Sequence, residues 1–201
     1  MIAIIDYDAG NMKSVIKALH FLDKEYTCTS DCNEIYKADH VILPGVGAFG
    51  MAMDQIRNRG LEDVIHDVVK KGTPFMGVCL GMQVLFNESE ESPGVNGLGL
   101  LGGKIKKIPI GEYEKVPHMG WNSLNIKAGS RLFNRIDNNS YVYFVHSYYL
   151  EAEDPSVVCA TTEYNTLIHA AVEKDNIFGC QFHPEKSSDV GLKILKNFVE
   201  L

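Results

Sequence analysis

Cys79 stands in Gly77-Val78-Cys79-Leu80-Gly81, directly after an apolar run and directly before a helix-like stretch. This is the cysteine form of the G-x-S-x-G elbow. Flanking glycines allow a sharp strand-to-helix turn that lifts the nucleophile out of a sheet, and they keep neighbouring side chains clear of it and its substrate. A helix N-terminus beneath the thiol favours its thiolate and offers the Leu80 amide to a developing oxyanion. A buried structural cysteine would fit the same pattern, so a base is needed to separate the two. Among seven histidines, His183 is distinguished by its setting in Gln181-Phe182-His183-Pro184-Glu185. Pro184 keeps the preceding residue out of the helical region, and in an extended stretch residues i and i+2 face the same way. Glu185 can then take the Nδ1 hydrogen of His183 and leave Nε2 for a thiol, which is the nucleophile, base and orienter arrangement. Alone, this pair would read as a loop histidine beside a surface glutamate; the elbow cysteine gives it a purpose.

The other thiols invite blander readings. Cys28 and Cys32 flank Thr29-Ser30-Asp31, with no second pair at finger spacing, and give too few ligands for a closed zinc site. They are expected to be structural, with Cys159 and Cys180 in the core. No metal and no cofactor is expected. Gly45-Val46-Gly47-Ala48-Phe49-Gly50 matches G-x-G-x-x-G, but Pro44 precedes it, it follows a later strand, and Glu62 and Asp63 at fingerprint distance fall on a predicted helix. The loop is better read as a source of backbone N–H groups for an oxyanion over Cys79.

Such residues need a frame. The first half alternates: Met1 to Ile5 as strand, Met12, Val15, Ile16 and Leu19 at helical spacing, His40 to Leu43 as strand, Leu61 to Val69 as helix, and Thr73 to Val78 as a buried strand. This predicts a three-layer α/β fold with a mostly parallel central sheet and helices on both faces, its reactive groups at the carboxyl ends of the strands. From Lys104 to Phe182 the chain is rich in Val, Ile, Tyr and Phe in short runs (Ser140 to Tyr149, Val157 to Thr161, Thr166 to Val172, Ile177 to Phe182), read as antiparallel strands added to the sheet. Ile194, Leu195, Phe198 and Val199 predict a closing helix. With no repeat or linker, residues 1–201 read as a single domain.

Composition narrows the partners. The 201 residues carry 19 Lys+Arg against 26 Asp+Glu, a net charge of −7, which is the wrong sign for a phosphate backbone or an anionic membrane surface. The longest weakly polar stretch, Thr73 to Asn87, is broken by Pro74, Gly77, Gly81 and Gln83 and is too short for a membrane span. Met1 to Asp6 lacks the features of a signal peptide, and five cysteines at irregular spacing are no disulfide framework. A cytoplasmic location is expected, with no nucleic acid or membrane partner.

Pro44-Gly45-Val46-Gly47, Gly77 to Gln83 and His183-Pro184-Glu185 together resemble the signature blocks of the class I, triad-type glutamine amidotransferases, whose fold is flavodoxin-like. Within that family, Val116 to Asn122, Asp6-Tyr7, Gly10-Asn11 and Tyr143 to Tyr148 are similar to the glutaminase subunits of imidazole glycerol phosphate synthases of histidine biosynthesis. The resemblance implies glutamine hydrolysis through a Cys79 thioester, with Val46, Gly47 and Leu80 at the oxyanion, and with Gln83, Glu91, Ser147 and Tyr148 on the amino-acid end of L-glutamine. It further implies a heterodimer with a (β/α)8-barrel cyclase subunit that receives the ammonia, docked on Asn11, Met119, Trp121, Tyr143 and Lys186. The family usually has glycine where this chain has Asp8, so the local turn is expected to differ. Two alternatives stand beside this reading: a paralogous glutaminase subunit serving a surface-sugar amidation or anthranilate-type synthase, and a non-catalytic α/β scaffold.

Overall fold

The apolar start of the chain is a buried strand, β1 (Ile2–Ile5), whose successive side chains go to opposite faces. Ala3 and Ile5 enter one core, Ile2 and Ile4 the other. The computed structural model describes residues 1–8, 12–111 and 115–201. There follow α1 (Met12–Phe21), β2 (Tyr26–Thr29), α2 (Cys32–Lys37), β3 (His40–Gly45), α3 (Phe49–Asn58), α4 (Leu61–Lys70), β4 (Phe75–Cys79) and the single turn α5 (Leu80–Gln83). The second half comprises β5 (Glu88–Ser89), β6 (Gly103–Lys107), β7 (His118–Ser123), β8 (Asn125–Ile126), β9 (Tyr141–His146) and β10 (Tyr148–Ala152). It ends with β11 (Val158–Glu163), β12 (Leu167–Lys174), β13 (Ile177–Cys180), a 3-10 turn (Pro184–Lys186) and α6 (Ser188–Val199).

The central sheet has eight strands in the order β2-β1-β3-β4-β13-β12-β11-β8. β1 to β4 and β13 run parallel; β12, β11 and β8 are antiparallel additions. One core holds Ile35 of α2, Phe49 of α3 and Val64 of α4 against the sheet, and the other holds Val15 and Leu19 of α1 with Ile194 and Phe198 of α6. Helices therefore cover both faces, as the alternating pattern predicts. A four-residue strand buried on both faces carries no alternation to read, which is why such runs appear in sequence as plain apolar blocks.

Two expectations for the second half are corrected. Ile177–Cys180 enters the sheet parallel to β4, inserted between the parallel half and the antiparallel edge. Ser140 to Tyr149 adds no strand to the central sheet: it breaks at Ser147 into β9, paired with β7, and β10, paired with β6, in two small separate sheets. Val142, Phe144 and His146 of β9 are buried while Tyr141 is exposed, a one-face pattern that suits a flap over the core better than a two-sided central strand. Among the described residues no helix is long and apolar enough to cross a membrane, and no group of His, Cys, Asp or Glu could hold a metal ion.

Candidate active site

Strand β4 ends at Cys79, whose backbone takes φ 56° and ψ −111° before α5 begins. This is a conformation L-residues avoid, at a cost on the order of 1–3 kcal/mol, and it persists because its surroundings over-determine it. A Cβ on Gly77 would lie 2.5 Å from the Gly81 carbonyl oxygen, and one on Gly81 only 1.8 Å from the Leu43 carbonyl oxygen. The glycines thus let α5 fold back onto β4 and lie against β3. Because α5 is a single turn, the dipole effect expected of a helix N-terminus beneath the thiol is a local one. What supports an anion there is the set of first-turn N–H groups that have no intrahelical acceptor.

The histidine read as the base comes from the neighbouring strand. Parallel pairing sets Cys180 opposite Val78, so the residues just past β13 arrive beside Cys79. His183 Nδ1 lies 2.8 Å from Glu185 Oε1, and the two side chains are 3% and 2% exposed. The His183 backbone is anchored by its N–H donating to the Tyr143 carbonyl at 2.9 Å and by Ser187 Oγ donating to its own carbonyl at 2.6 Å. Burial works against an imidazolium here, but the Cys79 sulfur and the Glu185 carboxylate outweigh it and hold His183 up at about 10. Nε2 has no other partner among the described residues, which leaves it to the sulfur. The sulfur also lies 4.0 Å from the Val145 carbonyl, a contact too long to compete with an ion pair once the thiolate forms.

These groups open into a cleft of about 340 Å3 lined by Val46, Gly47, Cys79, Leu80, Gln83, Glu91, Pro117, Val145, His146, Ser147, Tyr148 and His183. Every residue assigned to the oxyanion and to the substrate is there, with Glu185 behind His183. A larger hollow bounded by Ile126 to Asn138 and the C-terminal residues contains none of them. Glu91 Oε2 accepts from the Phe49 N–H at 2.7 Å and Ser92 Oγ from the Gly50 N–H at 2.9 Å. The start of α3 is therefore occupied by the chain's own carboxylate and hydroxyl, which accounts for the glycine loop without a dinucleotide.

Met119 and Trp121 alternate along β7 onto its outer side, 61% and 50% exposed, and Trp121 packs edge-on against Tyr143 at 6.0 Å. Lys186 stands partly exposed in the 3-10 turn. Asn11 lies outside the described residues. Asp8 adopts φ 64°, so the backbone keeps the left-handed shape that glycine favours, and Arg59 pairs with its carboxylate. Cys28 and Cys32 are exposed free thiols on β2 and α2, and Cys159 and Cys180 are buried.

The sequence reading missed three groups. Gln181 is fully buried, its Nε2 3.8 Å from Cys79 Sγ and its Oε1 2.9 Å from Gln83 Nε2. Tyr7 is 1% exposed, and its hydroxyl has no partner among the described residues although a Cβ on Gly45 would touch it at 2.5 Å. Burial, with Cys79 adding to it, pushes this phenol well above its ordinary range. His118 and His146 are buried with Nδ1 and Nε2 3.0 Å apart. A polar residue in an otherwise apolar strand extension was the available signal for Gln181.

Residues 3–201 match the family model for "Glutamine amidotransferase class-I". "Imidazole glycerol phosphate synthase subunit HisH" of Bacillus cereus is 50% identical over 98% of this chain and 93% of its own length. The protein of that name from Methanocaldococcus jannaschii is 48% identical over the whole of both chains. Of solved structures, a "glutamine amidotransferase" superposes with TM-score 0.78 at 18% identity over 100% of this chain and 98% of its own. "PurLQS from Thermotoga maritima" does so with TM-score 0.72 at 18% identity over 99% and 97%, a likeness of fold.

Proposed function

The chain belongs to the class I glutamine amidotransferases, and on that premise we propose that it is the glutaminase subunit of an imidazole glycerol phosphate synthase in histidine biosynthesis. The Cys79 thiolate attacks the side-chain carbonyl carbon of glutamine. The oxyanion is received by the Leu80 amide and an amide of the Val46-Gly47 loop. His183 protonates the amide nitrogen, ammonia leaves, and a thioester remains. Neutral His183 then takes a proton from water, whose oxygen attacks the thioester, and glutamate departs as the thiolate is restored. Gln83, Glu91, Ser147 and Tyr148 hold the amino-acid end.

Ammonia released into neutral water is protonated and loses its nucleophilicity, so the product must pass directly to an acceptor. We assign that role to a (β/α)8-barrel cyclase seated on Met119, Trp121, Tyr143 and Lys186, and by the resemblance on Asn11, which lies outside the described residues. An aromatic pair in a half-exposed patch suits such an interface. No cofactor is invoked, and the chemistry belongs in the cytoplasm with the rest of such a pathway. The observation that carries the reading is the buried His183–Glu185 pair set beside an elbow cysteine in one cleft.

A glutamine-analogue alkylator is expected to label Cys79 ahead of the other four cysteines, and the gene to restore growth without histidine to a strain lacking its own glutaminase subunit. Labelling without restored growth would redirect the same chemistry to another synthase. Uniform labelling would favour a scaffold. A second prediction concerns Glu185→Gln. Removing the carboxylate takes away part of what raises His183, so the imidazolium is lost at lower pH. The alkaline limb of kcat/KM for glutamine is therefore expected to move toward neutrality, with kcat falling about 10- to 100-fold, read from a pH–rate profile.

A further inference from the structure

A backbone carbonyl can only accept hydrogen bonds, and the Tyr148 carbonyl thereby orders two side-chain chains that meet on it. Gln83 Nε2 lies 3.0 Å from it, so Gln83 presents its NH2 group there. The second hydrogen of that group goes to Gln181 Oε1 at 2.9 Å. Gln181 is thus fixed with its oxygen toward Gln83 and its NH2 toward Cys79 Sγ, 3.8 Å away. The flipped amide would set NH2 against NH2 and an oxygen lone pair against the thiolate.

The other chain follows from the same carbonyl. His146 Nδ1, 2.9 Å away, must carry its hydrogen, which leaves Nε2 to accept from His118 Nδ1 at 3.0 Å. Asn122 Nδ2 stands 3.5 Å from His118 Nε2. Burial lowers His118 to about 4 and His146 to about 3, so both rings stay neutral and this tautomer order holds at working pH.

We propose that Gln181 is a positioning residue for the nucleophile, orienting and stabilising the Cys79 thiolate, and that the Tyr148 carbonyl sets its direction through Gln83. The inference rests on the reading of Cys79 as nucleophile. Gln181 is fully buried, so no water competes with its N–H, and a hydrogen bond to an anion in such surroundings is about twice as strong as a neutral one. The titratable groups around the thiol are His183, with Glu185 behind it, and Tyr7, with Glu91, His146 and Tyr148 lining the same cleft.

The test follows alkylation of Cys79 by iodoacetamide, a probe with no amino-acid end, across pH in the purified chain. In Gln181→Met, which lacks the donor, the pH of half-maximal rate is expected to rise by about one unit, with kcat for glutamine down about tenfold and KM changed less than about threefold. Gln181→Glu keeps an acceptor for Gln83 but places a carboxylate by the sulfur, and its rise is expected to be larger. Profiles of the two Gln181 variants that superimpose on wild type, in chains with native circular dichroism, would overturn the proposal. Should one of them fail to fold, the other decides in the same way. A wild-type chain whose Cys79 is no more reactive than its other thiols would instead remove the underlying nucleophile assignment.

Discussion

Replacing Cys79 by alanine is expected to lower glutamine hydrolysis by about 10⁴-fold or more, because base, orienter and oxyanion donors have no covalent step to serve without the sulfur. The fold should survive, since a small side chain at the floor of the cleft loses few contacts. Cys79→Gly is expected to be equally inactive and about 1 kcal/mol more stable than Cys79→Ala. The strained φ of 56° costs glycine nothing, and that gain exceeds the entropy glycine returns to the unfolded chain. Ammonia release and a thermal melt of both variants check this. Hydrolysis retained in either would remove Cys79 from the mechanism, and an alanine variant at least as stable as the glycine one would show that the elbow stores no strain.

The second large effect concerns one methyl group. In Gly81→Ala the new carbon would stand 1.8 Å from the Leu43 carbonyl oxygen and 2.8 Å from its carbon, atoms of a buried strand that cannot swing aside as a side chain does. Either α5 lifts off β3 or the sheet opens locally. We expect a loss of about 3 kcal/mol or more, with the melting temperature down by roughly 6–12 °C. Because α5 carries Leu80 and Gln83 into the cleft, activity should fall further than the unfolded fraction explains. Gly47→Ala offers the contrast. Nothing lies within 4 Å of its added carbon, and only the backbone at φ 102° resists, so its melting temperature should fall less.

The geometry of the candidate site was more legible in the sequence than the topology that delivers it. The elbow glycines and the His183-Pro184-Glu185 triplet each make their geometry locally, through φ restrictions and period-two alternation, so short windows sufficed. The order of strands is a long-range property. Nothing in Ile177–Cys180 distinguishes a strand that joins the sheet parallel at its centre from one added antiparallel at its edge, and the pairing with β4 across about a hundred residues decides it. The break at Ser147 was hidden because Tyr141 to Val145 before it and Tyr148 and Tyr149 after it read as one run. Gln181 and His118 escaped for a related reason: a buried polar side chain has meaning only through its partners, and those come from β7, β9 and α5.

The insertion of β13 between β4 and β12 also bears on how the protein is made. A chain emerging from the ribosome presents Cys79 with its elbow about a hundred residues before Gln181 and His183 appear. Until β13 arrives, β4 is an open edge and its thiol has neither base nor amide donor beside it. Non-local parallel pairing of this kind forms slowly. The sulfur therefore meets its candidate base only once β13 has joined β4, and a chain that ends before Gln181 carries the elbow cysteine without either group.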